Sequence, residues 1–76
     1  MLSERITETV AIRAQVRESE QAARRLILRA AHLEKRARRP RADAGERTSL
    51  NAQALELRAD AEALLAKISE LSRLAA

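Results

Sequence analysis

The sequence predicts an all-α fold: one antiparallel two-helix hairpin with a Leu/Ala coiled-coil seam, expected to dimerise into a four-helix bundle. Three observations lead there. Leucine recurs every seventh residue at Leu50, Leu57, Leu64 and Leu71, with Ala54, Ala61, Ile68 and Ala75 at the +4 positions. Such a 4-3 spacing is that of a helix offering a narrow apolar stripe to another helix. A matching stripe occupies the first half of the chain, and Pro40 and Gly45 separate the two. Composition agrees: apolar residues are 46%, mostly alanine and leucine, aromatic residues are 0%, and a single Gly and a single Pro leave little material for strands and turns.

The first helix is expected over about 3–38. Ser3 is a good N-cap, with Glu4 placed to favour the positive end of the helix dipole. The seam then runs Thr9, Ile12, Val16, Ser19, Ala23, Leu26, Ala30, Leu33, Ala37 in alternating steps of three and four. Glu20 with Arg24 and Glu34 with Arg38 are i,i+4 pairs in the favourable orientation. Pro40 disfavours helical geometry at Arg39 and ends the element.

The turn is expected over about 39–48 and the second helix over about 49–74. Asp43 with Glu46 offers one capping box, and Thr48 or Ser49 could cap a later start. The whole of 1–76 then makes a single hairpin domain, near the size at which one core is marginal.

Register follows from volume. Setting Ala37 against Leu50 makes the further layers Leu33 with Ala54, Ala30 with Leu57, Leu26 with Ala61 and Ala23 with Leu64. They continue as Ser19 with Ile68, Val16 with Leu71 and Ile12 with Ala75. Nearly every layer sets a branched side chain against a small one, which keeps layer volume even and lets the backbones approach closely. A slip by one heptad would face Leu33 with Arg47, burying a charge. Beside this seam lie Ile6, Ile27, Leu65 and Leu74, with Val10, Leu28 and Leu55 farther round. The widened stripe is expected to be a second contact surface, met by another copy of the chain or by a partner helix.

No cysteine is present, so there is no disulfide framework and no thiolate metal site. His32, the single histidine, has Leu28, Arg29, Lys35 and Arg36 as its helical neighbours, none of which is a ligand. Glu4 with Glu8 and Glu56 with Asp60 are carboxylate pairs on outward positions, read as solvated faces. With no phosphate-binding glycine loop and no serine on the helical face of His32, neither catalysis nor a cofactor, metal or small-molecule substrate is expected. The longest aliphatic run, Leu26-Ile27-Leu28, is far below a membrane span, and no signal-peptide apolar region opens the chain, so the cytoplasm is the expected compartment.

Charge is uneven. Residues 24–47 hold nine Lys or Arg against three acids, a net +6, whereas the remainder nets −2. Arg25, Arg29, His32, Arg36 and Arg39 fall on one helical stripe leading to the turn. Such a stripe could grip phosphates, which makes a nucleic-acid-binding dimer the alternative function. Single-strand readers usually carry stacking aromatics, and there are none here, so only shape-and-phosphate contact is open.

The hairpin with its Pro-containing turn and the Leu/Ala helix from Leu50-Asn51-Ala52-Gln53-Ala54-Leu55-Glu56 to Ile68 resembles the small co-chaperones of type III secretion needle subunits. That resemblance implies a cytosolic hairpin that holds the apolar helix of a polymerising subunit in check. The dimeric hairpin RNA-binding regulators of plasmid copy number share the bundle logic, but their aromatic contact residue has no counterpart here. The leading expectation is therefore a non-enzymatic protein-binding module, an adaptor or small chaperone.

Overall fold

The computed structural model describes residues 2–75, and the side chains of 6–75. Two helices, α1 (Leu2–Ala37) and α2 (Ala44–Ala75), pack against each other as a hairpin about 62 Å long and 14 × 12 Å in section. Among the described residues there is no strand. Both arms run almost the whole length, since 36 and 32 residues at about 1.5 Å per residue give rods of similar reach.

Helix α1 begins at Leu2, one residue before the expected cap Ser3, whose side chain lies outside the described set, as does that of Glu4. At its other end the ladder tightens before it stops. The Arg38 N–H is shared between the carbonyls of Glu34 and Lys35, and the Arg39 N–H donates to Arg36 O, all at 3.2 Å. Pro40 then takes the second place of a turn closed by the Ala42 N–H donating to Arg39 O at 3.1 Å. Its fixed φ suits that position, and it lacks the N–H that a further helical turn would need.

Helix α2 starts at Ala44, five residues earlier than expected, so the connection is 38–43 rather than 39–48. The cause is Asp43. Its Oδ1 accepts the Glu46 N–H at 2.7 Å while its carbonyl takes the Arg47 N–H at 3.0 Å, the double role of an N-cap. Gly45 leaves this cap uncrowded: a Cβ there would sit 3.3 Å from Asp43 Oδ1, close enough to shift it by a few tenths of an ångström. Thr48 and Ser49, the rival caps, are inside the helix. Thr48 Oγ1 donates back to Ala44 O at 2.9 Å, and Ser49 Oγ accepts from Gln53 Nε2 at 3.2 Å.

The interior is a column of small side chains. Ala23, Ala30, Ala37, Ala54 and Ala61 are buried, with Ser19, Leu50 and the turn residue Ala42. Ile12, Val16, Leu26, Leu33, Leu57, Leu64, Ile68 and Leu71 are half-buried between them. Among the described residues no large side chain is fully enclosed. A two-helix seam cannot do more, since each leucine that reaches over an alanine keeps one side open to water.

Among the described residues, an ion pair between Glu34 and Arg58 ties the arms together. Arg58 Nη2 donates to Glu34 Oε1, and Arg58 Nε donates to Glu34 Oε2 at 3.2 Å. Helical side chains lean toward their own N-terminus, so in an antiparallel pair the tips that meet come from Cα atoms set some turns' fraction past each other. In the register that places Ala37 against Leu50, Glu34 and Arg58 are offset axially by about 7 Å, with each leaning toward the other. The slip that sets Leu33 against Arg47 would stretch that offset to about 18 Å, beyond the reach of both side chains, and the opposite slip would need α1 to continue through Pro40. Arg47, which that slip would bury against Leu33, is exposed. Glu34 therefore pairs across the seam rather than along α1 with Arg38. The hydrogen bond from Arg58 holds the Glu34 carboxyl below its ordinary pKa, and Arg38 contributes a weaker pull.

Candidate interaction surface

The two flanks of the hairpin differ in kind. On the flank that carries the Glu34–Arg58 pair, Ile27, Leu28 and Leu65 surround a groove of about 310 Å³, with Glu20 and Arg24 on its rim and Ala23 as its floor. Ile27 is 37% exposed, Leu65 49% and Leu28 63%, so three large aliphatic side chains stand around one shallow hollow in water. Its floor is shallow because Ala23 and Ala61 bring the backbones together and leave the branched neighbours standing proud. Ile6 continues the heptad row of Ile27 toward the open end and is 63% exposed, with Val10 one turn back toward the hairpin turn at 60%. Leu55, 71% exposed, extends the same side of α2 toward the turn.

Leu74 does not belong to this flank. It lies nine residues from Leu65, which at about 100° per residue carries it to the opposite side of α2, where it is exposed. The sequence expectation grouped the two because both border the seam, without separating its two sides.

The opposite flank is charged in both signs. A groove of about 490 Å³ there is lined by Arg29, His32 and Arg36 from α1 and by Gln53, Glu56 and Asp60 from α2, over Leu33 and Leu57. The predicted basic stripe is thus not a uniform field. Arg29 and Arg36 face two carboxylates, Arg39 lies at the turn, and Arg25 lines neither hollow. At the turn, Arg36, Arg39 and Arg41 ring a hollow of about 340 Å³ that also holds Glu46, above Ala42 and Leu50.

Neighbours within a single helix did not bring His32 near any acid, yet across the groove it shares a wall with Glu56 and Asp60. Spacing along one helix is blind to such encounters, which depend on register and on which side of α2 a row occupies. Among the described residues no three His, Cys, Asp or Glu side chains come close enough to hold a metal ion. No helix among them is long and apolar enough to cross a membrane.

The chain matches no protein-family model, no curated protein and no solved structure.

Proposed function

We propose that the protein is a non-enzymatic interaction module, an adaptor or small chaperone that works by laying the Ile27–Leu65 flank against the apolar face of another helix. The observation that supports this is the grouping of Ile27, Leu28 and Leu65 about one groove on a hairpin whose own seam leaves them exposed. A helix entering that groove would exclude water from three aliphatic side chains at once, at about 1.5–3 kcal/mol for each that becomes fully buried. Recognition of this kind reads an amphipathic helix through anchors at i, i+3, i+4 and i+7. The resemblance to needle-subunit co-chaperones points to the same kind of ligand, an apolar helix that would otherwise polymerise.

The alternative, phosphate contact through Arg25, Arg29, Arg36 and Arg39, is weakened by Glu56 and Asp60 in the groove that Arg29 and Arg36 line. Comparative capture from the native host separates the two readings. Wild type, Ile27→Lys/Leu65→Lys and the fourfold Arg→Gln variant of the stripe would be used as baits, each with and without nuclease. Partners lost from the flank variant and indifferent to nuclease support the proposal. Partners kept by the flank variant but lost with nuclease or with the Arg→Gln change would overturn it.

A further inference from the structure

The row of α1 that adjoins the seam on the apolar flank reads Ile6, Arg13, Glu20, Ile27, Glu34, each seven residues from the next, and Glu34 is taken up by Arg58 of the same chain, which leaves the first four to meet a neighbour. Ile6 and Ile27 are large exposed aliphatics, and Arg13 and Glu20 are exposed charges of opposite sign. Reversed, the stretch from Ile6 to Ile27 keeps its character: apolar at both ends, and Arg exchanged with Glu in the middle. A row of that form is complementary to itself in an antiparallel pairing and to no parallel copy of itself.

We infer that the occupant of this flank is a second copy of the chain, docked with its turn at the opposite end. The two-fold axis passes between Arg13 and Glu20, so that Arg13 meets Glu20 of the other copy twice and Ile27 meets its Ile6 twice. This rests on the reading of the flank as a docking surface and adds the identity and direction of what docks there. The contact is isologous: the groove formed by Ile27, Leu28 and Leu65 in one copy receives the exposed Ile6 and Val10 of the other, and the reverse. Net charge points the same way. The +6 of residues 24–47 is concentrated toward the turn, and the remainder of the chain nets −2. A parallel dimer would set two strongly basic ends side by side. The antiparallel one separates them, because each turn projects past the open end of the other copy, and charges beside a helical seam are what fix orientation in such bundles.

The test is a charge swap. Wild type, Arg13→Glu, Glu20→Arg and the double variant would be compared by sedimentation equilibrium, with circular dichroism to confirm equal helicity. Wild type is expected to be a dimer at tens of micromolar. Each single reversal creates two like-charge contacts across the axis and should weaken the dimer about tenfold, and the double variant should recover most of that loss. A monomeric wild type, or a double variant weaker than both singles, would overturn the inference. Direction is read separately. A chain carrying Ile6→Cys mixed with one carrying Ile27→Cys should be joined between copies by a short bismaleimide. Joining of Ile27→Cys to Leu65→Cys between copies instead would mean a parallel dimer and would overturn it equally. If the swap has no effect while Ile27→Lys/Leu65→Lys abolishes partner capture, this inference fails and the proposed function stands. If that flank variant captures all that wild type does while the swap and the cross-link behave as expected, the proposed function fails and this inference stands.

Discussion

Replacing Ala61 by leucine should test how closely the two backbones approach. Ala61 is 2% exposed, and in the register that sets Ala37 against Leu50, with which the Glu34–Arg58 pair agrees, its layer already holds Leu26. The added carbons have nowhere to go except into Leu26 or between the helices, so the change should destabilise by about 1–3 kcal/mol, typical of overpacking. For a chain of this size each kcal/mol lowers the midpoint by about 4–8 °C, so a fall of roughly 10 °C is expected in thermal melts followed at the helical band. Leu26→Ala alone should cost about 2 kcal/mol, at the low end of large-to-small changes because Leu26 is half-buried. The exchange Leu26→Ala/Ala61→Leu keeps one leucine and one alanine in the layer and should lie within about 1 kcal/mol of wild type, a coupling of about 3 kcal/mol. Melts at several protein concentrations would separate this effect from any change in association. If Ala61→Leu is as stable as wild type, or the double variant equals the sum of the singles, Leu26 and Ala61 do not share a layer and the register is wrong.

Three further outcomes are expected. Asp43→Ala removes the acceptor for the Glu46 N–H and should cost about 1 kcal/mol with fraying at the start of α2, whereas Asp43→Asn should be nearly neutral; urea titration and amide exchange at Glu46 and Arg47 check this. Because Glu34 is held below its ordinary pKa, its contribution to stability is present above the ordinary glutamate value of 4.5 and is lost as pH falls through the lowered one. Glu34→Gln should therefore flatten the acid limb of stability against pH, and an unchanged limb would show that the pair contributes nothing in solution. At the basic end, no binding to generic RNA or DNA is expected below ~50 mM salt, measured by fluorescence anisotropy. Binding with a log–log salt slope near −3, removed by the fourfold Arg→Gln variant, would instead assign about four phosphate contacts to that stripe.

The helical hairpin was legible because it follows from one-dimensional periodicity. Leucine at Leu50, Leu57, Leu64 and Leu71 with small residues between can face only another helix, and Pro40 can end only the first of the two. The start of α2 was not legible in the same way. Asp43, Thr48 and Ser49 have similar capping propensities, and the structure places the cap at Asp43, whose Oδ1 takes the Glu46 N–H with no Cβ at Gly45 to crowd it. Glu34 had an equally good neighbour in Arg38, and its actual partner Arg58, twenty-four residues away, became available only when the arms were set in register. The candidate surface divides along the same line. That Ile27 and Leu65 border the seam is a property of sequence spacing. That they flank one groove while Leu74 faces away, and that Glu56 and Asp60 stand across from Arg29 and Arg36, depends on the handedness with which two antiparallel helices bring matching sides together. Periodicity gives the angle of a residue about its own axis, and packing alone gives the sign of that angle relative to a neighbour.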